Sequence, residues 1–279
     1  MPTTQFRYLV PTQPQVGQHD FERTARLLHT RSGIVLGAHK QDMVARTLDN
    51  RLTKLGIGSA GEYLSFLEQN PQSPEWDHFI NAFTINHTAF FREQHHFDIL
   101  SEFVRTRTSA VAIWCAAAST GEEPYSIAMT LQESSRRASD PLATIFATDI
   151  DTSALERARK GTYSLERVSP VPESYLKKYF YRGTNAKAGL VRVKPIIQDM
   201  ITFDQFNLLT PVWPVDKKFD AIFCRNTMIY FDKATQTRVL DRFASVLKPG
   251  GLLFAGHSEN FTYLTKAFVL HGQTVYTKA

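Results

Sequence analysis

Cysteine is scarce, with 2 in 279 residues. That excludes a disulfide-stapled scaffold and points to a reducing compartment, so a cytoplasmic protein is expected. Long apolar runs are missing too. The longest, Ala110–Ala118, has nine residues, against the roughly 18 needed to cross a bilayer, and no membrane insertion is expected. Met1-Pro2-Thr3-Thr4-Gln5 carries no basic start followed by an apolar stretch, so no secretory leader is expected. No block of Lys and Arg stands out, and nothing local speaks for nucleic acid. The excess of 32 basic over 27 acidic residues leaves a formal charge of only +5, which serves solubility as readily as attraction to an acidic partner. The nine histidines include no i, i+4 pair and no cysteine partner at metal spacing, so no metal is expected.

What is present is core-forming material. Apolar residues make up 43% and aromatics 12%, which excludes a disordered or collagen-like chain. At ~150 residues per domain the length predicts about two domains. Residues 1–20 hold three prolines and no apolar periodicity and are read as a flexible arm. From Phe21 to about Arg107 the pattern is helical. Val44, Leu48, Leu52 and Leu55 form one stripe that stops at Gly56; Tyr63, Phe66 and Leu67 form a second, and Phe79, Ile80 and Phe83 a third. An all-helical N-terminal domain is placed at 21–86 and a second domain at 87–279.

The second domain alternates strands and helices. Val111–Cys115, Thr144–Asp149, Phe219–Cys224 and Leu252–Ala255 read as buried strands, with helices at Glu122 to about Arg137, Thr152–Lys160 and Lys233–Leu247. This alternation predicts an α/β fold with a parallel sheet. A terminal hairpin is expected around His271-Gly272-Gln273. Between about 161 and 204 the alternation breaks, and an all-β insertion is expected.

In such sheets ligands bind beyond the carboxyl ends of the strands. The first strand is followed by Ala116-Ala117-Ala118-Ser119-Thr120-Gly121-Glu122-Glu123, the second ends at Asp149, and the third runs into Arg225-Asn226. Small residues let the backbone approach a ligand, and Asp149 is placed to accept from two ribose hydroxyls. This turn has neither G-x-G-x-x-G nor G-x-x-x-x-G-K-[ST], which disfavours a dinucleotide or a triphosphate. Glu122 and Glu123 favour a cationic ligand such as S-adenosylmethionine, or else simply begin a helix, where carboxylates are favoured anyway. Cys115 and Cys224 end strands expected to be neighbours, as a close pair or as buried reduced thiols.

Ala116–Ser126, Asn86-His87-Thr88-Ala89-Phe90-Phe91-Arg92-Glu93, Ala147–Asp151, Cys224–Asp232 and Gly256-His257-Ser258-Glu259-Asn260-Phe261 together resemble the CheR chemotaxis receptor methyltransferases. The resemblance runs from about Phe21 to Tyr276, with the motifs in family order. It implies a class I S-adenosylmethionine-dependent methyltransferase (Rossmann-like) domain with a small β insertion, preceded by a small all-helical domain. The implied activity is methylation of glutamate side chains on bacterial chemoreceptors by a monomer in the cytoplasm, recruited to membrane receptor arrays, with S-adenosylhomocysteine as product. Implied cofactor contacts are Asn86, Thr88, Arg92, Glu123, Asp149, Asn207, Leu208, Arg225 and Asn226. Tyr230 and Arg92 are the two residues placed nearest the transfer; otherwise Tyr230 is a core aromatic and Arg92 a surface ion pair. Some family members hold a receptor's C-terminal pentapeptide on the insertion, beside a turn matched here by Arg182–Gly189, where Asn185 replaces a glycine. The family's basic helix corresponds to the one bearing Lys40, Arg46, Arg51 and Lys54, diluted here by Asp42 and Asp49.

Overall fold

The computed structural model describes residues 16–134, 143–211, 213 and 218–279. The chain divides into two compact units: residues up to Arg31 with Val35–Phe83, and Ser32–Ile34 with Thr84–Ala279. Most of the expected arm lies outside the described residues, and its last three residues already begin a helix.

The first unit contains α1 (Gln18–Ser32), α2 (Gln41–Leu55), α3 (Ala60–Gln69) and α4 (Glu75–Phe83). Val44, Leu48 and Leu52 of α2 are fully buried, as are Tyr63 and Leu67, but Leu55 is 40% exposed, so the α2 stripe ends one turn early. Gly56 stops α2 in the left-handed region at φ 67°, its N–H reaching back to the Leu52 and Thr53 carbonyls. Ser59 then caps α3 by accepting from Glu62 N at 3.2 Å. Gly56-Ile57-Gly58-Ser59-Ala60-Gly61 thus has the spacing of a phosphate cradle but joins two helices, without the strand such a cradle needs. Arg51 is not free on the α2 surface. Its guanidinium forms a paired bridge to Glu75, which also accepts from the Tyr63 hydroxyl at 2.7 Å.

The second unit runs α5 (His95–Arg105), β1 (Ala112–Cys115), α6 (Glu122–Ser134), β2 (Thr144–Asp149), α7 (Thr152–Lys160), β3 (Thr162–Ser164), α8 (Glu173–Tyr179), β4 (Phe180–Arg182), β5 (Leu190–Val193), α9 (Pro195–Gln198), β6 (Ile201–Gln205), β7 (Phe219–Cys224), α10 (Lys233–Val246), β8 (Leu247–Ala255), β9 (Phe268–Gly272) and β10 (Val275–Lys278). The main sheet has the order β6-β2-β1-β7-β8-β10-β9. From β6 to β8 neighbours are parallel, while β10 is antiparallel to both β8 and β9. Chain order reverses between β1 and β7, and in sheets of this kind the ligand crevice lies beyond the carboxyl ends at that reversal.

Apolar residues of the central strands alternate between the two faces. Ile113, Cys115, Ile145, Ala147 and Phe223 pack on one side, and Trp114, Ile222, Cys224 and Leu253 on the other. Cys115 pairs in register with Phe223, so Cys224, one residue on, faces away from it. The two buried thiols are free and separated by the sheet.

The insertion differs from the expected all-β segment. Its three-stranded sheet, order β3-β5-β4, holds α8 between its strands. The predicted boundary at 204 also cuts into β6, which pairs in parallel with β2 in the main sheet. Asn185 takes the left-handed conformation at φ 52°, and Gly189 does so at φ 87°, so the turn tolerates asparagine there.

Candidate active site

The crevice is shaped by the turn after β1. Ala116 N donates to Phe223 O at 2.8 Å and Ala118 N to Thr148 O at 2.9 Å, carrying the chain across the ends of β7 and β2. Ser119 and Gly121 then adopt φ 48° and 100°. A β-carbon on Gly121 would stand 2.7 Å from the Tyr163 hydroxyl and 2.9 Å from Ala158 Cβ, so only glycine fits. Ser119 N donates to Asp149 Oδ2 at 2.7 Å, and Asp151 N donates to Asp149 Oδ1 at 2.9 Å. Asn86 closes this corner, donating to Asp151 Oδ2 at 2.6 Å and accepting from the Ser119 hydroxyl at 3.0 Å. Asn86 and Asp149 are therefore brought together through two residues that sequence reasoning did not single out.

A second group forms around Arg225, which is 5% exposed. Its Nη1 donates to Glu123 Oε2 at 2.6 Å, Nη2 donates to the Arg92 carbonyl, and Glu93 Oε2 lies 3.4 Å away. Glu123 also accepts from the Cys115 thiol at 3.3 Å. Phe91 and Glu93 sit at φ 53° and 58°, so the linker is bent sharply at the point where Arg225 grips it. Arg92 donates to His87 O at 3.1 Å and remains on the rim, its side chain 35% exposed.

The polarity argument changes in one respect. Both glutamates of the first turn meet an arginine: Glu122 with Arg167 at 3.0 Å and Glu123 with Arg225 at 2.6 Å. Burial leaves both carboxyls raised above the ordinary range, offset only in part by the Thr120 hydroxyl and Arg167 at Glu122 and by Arg225 at Glu123. Among the described residues Asp149 has no salt-bridge partner, and burial pushes its carboxyl up to about 6. Attraction for a cation rests on Asp149 more than on the glutamate pair.

Asn226 and Tyr230 stand on the loop after β7, with Tyr230 closing a 3-10 turn over Met228–Tyr230. Glu259 holds this loop. Its Oε1 accepts from the backbone N–H of Thr227, Met228 and Ile229 at 2.9, 2.8 and 3.3 Å. Its Oε2 accepts from Asn226 N at 2.9 Å and Gly256 N at 2.6 Å. Asn226 is held at φ 57°. Gly256 permits the approach, since a β-carbon there would lie 2.6 Å from Asn226 N. Glu259 was legible only as part of a quoted motif, and its role has no signal in spacing.

The remaining residues are placed less centrally. Asn207 takes Leu209 N on its own Oδ1 at 2.9 Å, just after Phe206 N bonds Asp149 O at 2.9 Å. The Leu208 side chain is buried in the apolar layer, and its carbonyl accepts from Trp213 Nε1 at 3.3 Å and Arg242 Nη1 at 3.4 Å. Thr88 is half-buried, and its carbonyl accepts from Arg167 at 3.4 Å. No direct side-chain bond joins Thr88 or Leu208 to the other candidates among the described residues.

Sequence comparison places this geometry. The "CheR methyltransferase, all-alpha domain" matches residues 19–84, and the "CheR methyltransferase, SAM binding domain" matches residues 86–277. A chemotaxis protein methyltransferase of Klebsiella aerogenes is 52% identical over 257 residues, covering 92% of this chain and 88% of the relative. The Escherichia coli protein of that name is 51% identical over 256 residues, covering 92% and 89%. Chemotaxis protein methyltransferase 2 of Pseudomonas aeruginosa is 46% identical over 265 residues, covering 94% of each. With both domains matched in order, and with a class I sheet whose strand ends carry the family motifs, this chain belongs to the CheR methyltransferase family.

Proposed function

We propose that the chain transfers the methyl group of S-adenosylmethionine to glutamate carboxylates on the cytoplasmic domains of bacterial chemoreceptors, leaving methyl esters and S-adenosylhomocysteine. The observation that carries this reading is the gathering of Asp149, the Ser119–Gly121 turn and Arg225-Asn226 at one crevice of a CheR-family sheet. The test is transfer of labelled methyl to receptor-containing membranes. Base-labile label on receptor is expected; label on nucleic acid alone, or none at all, overturns the reading.

The site residues suit the cofactor. Each Asp149 oxygen accepts one backbone N–H and retains a lone pair for the hydroxyls of a vicinal diol. Asn86, Thr88 and Asn226 supply polar groups, Asn207 and Leu208 supply main chain, and the Glu123–Arg225 pair forms a wall. When bound, S-adenosylmethionine supplies an electrophilic methyl on a sulfonium. A glutamate carboxylate is ionised at neutral pH, so the chain's task is to align the acceptor and exclude water. Such positioning contributes about 7–11 kcal/mol, and no metal is called for.

Tyr230, half-buried on its 3-10 turn, orients the incoming carboxylate. Arg92 on the rim closes the pocket or holds the cofactor's own carboxylate; gripping the nucleophile would stabilise its ground state. Tyr230→Phe is expected to lower kcat about tenfold or more, the scale of one lost hydrogen bond in the transition state, while S-adenosylhomocysteine affinity stays within twofold. Arg92→Ala is expected to reduce both. Single-turnover rates and calorimetry separate the two; unchanged turnover with lost affinity in Tyr230→Phe would reverse the assignments.

The enzyme acts as a monomer in the cytoplasm, recruited to receptor arrays, and the insertion grips a receptor's C-terminal pentapeptide. β4 is an edge of its sheet, and Tyr181, Leu190 and Ile196 are 55%, 37% and 54% exposed, which suits addition of an extended peptide strand. Receptor-tail pentapeptides are expected to bind with micromolar affinity, independent of cofactor, and to do so more weakly after Tyr181→Ala. If no tail binds and trimming it leaves methylation unchanged, recognition rests on the helical domain. The α2 face offers it less charge than its sequence implies, because Arg51 is committed to Glu75.

A further inference from the structure

A cavity of about 570 Å³ opens between α7 and the insertion, lined by Thr120, Arg157, Lys160, Thr162, Tyr163, Ser164, Arg167 and Arg192. Four of its residues are cations, and no carboxylate lines it. Arg157 and Lys160 lie one turn apart on α7. Arg192 is the cross-strand partner of Thr162, which places the guanidinium and the hydroxyl on one face of the small sheet. Tyr163 stiffens the base, its hydroxyl donating to Thr120 O at 2.7 Å.

The carboxyl end of α7 accounts for Arg157 and Lys160 taken alone, since cations are favoured there. It does not account for Arg192 on β5 or Arg167 on the turn after β3, which the fold brings to the same hollow. Arg167 is already compensated by buried Glu122 at 3.0 Å. Arg157, Lys160 and Arg192 have no salt-bridge partner among the described residues. The cofactor does not explain this charge. It bears a sulfonium and no phosphate, and a cluster of cations repels it. Three uncompensated cations beside the hydroxyls of Thr162 and Ser164 match a ligand carrying two or three negative charges, which a single carboxylate lacks and a phosphate or pyrophosphate has.

We propose that this cavity is a binding site for a phosphate-bearing small molecule, held by Arg157, Lys160 and Arg192 and distinct from the cofactor crevice. Thr120 belongs to both, so an occupant abuts the turn that shapes the crevice.

The test is calorimetric titration of the full chain with inorganic pyrophosphate in one arm and adenosine diphosphate in another, at fixed ionic strength. Saturable one-to-one binding is expected. It should weaken about tenfold or more in Arg192→Ala, and again in Arg157→Ala/Lys160→Ala, the scale of a lost charge-assisted bond. S-adenosylhomocysteine binding, unchanged in both variants, verifies that they fold. Pyrophosphate affinity equal to or tighter than that of adenosine diphosphate assigns the site to the phosphate alone, and tighter adenosine diphosphate binding assigns it to a nucleotide. Absence of saturation, affinity indifferent to the variants, or displacement of pyrophosphate by a receptor-tail peptide each overturns the proposal.

Discussion

Glu259→Ala is expected to lower methyl transfer by about two orders of magnitude or more, with a measurable fall in Tm. The carboxylate accepts five backbone N–H groups from two loops. Removing it strands donors that each cost about 1–3 kcal/mol when buried and unmet. Glu259 holds the Asn226 N–H at φ 57°, a strained backbone that relaxes once the carboxylate is gone, and Tyr230 rides on that segment. Glu259→Gln keeps the shape but sets an amide N–H₂ against two or three donors, so it should show an intermediate loss. Single-turnover methylation and thermal melting of both variants provide the check. An Ala variant within threefold of native turnover would show that the loop is held by other means.

Asp149→Ala is expected to weaken S-adenosylhomocysteine binding roughly tenfold to a hundredfold, the scale of one or two charge-assisted hydrogen bonds. The native protein should show a matching pH profile. Burial holds the Asp149 carboxyl near 6 in the ligand-free fold, above its ordinary 3.8. Affinity should therefore fall as pH drops through about 6 and the acceptor is lost. Folding stability runs the other way. A carboxyl raised by folding contributes stability below its ordinary value, and that contribution is lost as pH rises from 3.8 to about 6. Calorimetry across pH 6 and melting from pH 3.8 upward through about 6 distinguish the two trends, and an Asp149→Ala protein with the native affinity profile would remove Asp149 from the site.

The central parallel strands β1, β2 and β7 were legible because each is a short continuous, largely buried apolar run. β7 and α7 match their predicted spans residue for residue. β6 was not legible. Ile201-Thr202-Phe203-Asp204-Gln205 sits at the sheet edge, half-exposed, and its mixed composition reads as loop until β2 pairs with it. α8 was hidden in the same way, at seven residues too short to display a period. In the site, Asp149 and Asn226 followed from their places after strands, which is a property of the fold class. Glu93, Ser119 and Glu259 act through backbone groups at positive φ or far along the chain, and no local pattern encodes such contacts. The charge of Glu122 and Glu123 misled for a related reason. Their arginine partners lie 45 and 102 residues away, beyond any window in which charges can be paired by inspection.

The placement of the two cysteines on opposite faces of the sheet has a practical use. Each is fully buried, and burial raises both thiols far above the range where thiolate forms at neutral pH, so neither reacts readily with an alkylating probe. The native chain therefore serves as a cysteine-silent background without any prior substitution. A single cysteine introduced at exposed Lys177, on α8 of the insertion, becomes the one addressable thiol for a fluorophore or spin label, and a second at exposed Tyr263 gives a pair for distance measurement within the catalytic unit while receptor peptide is added.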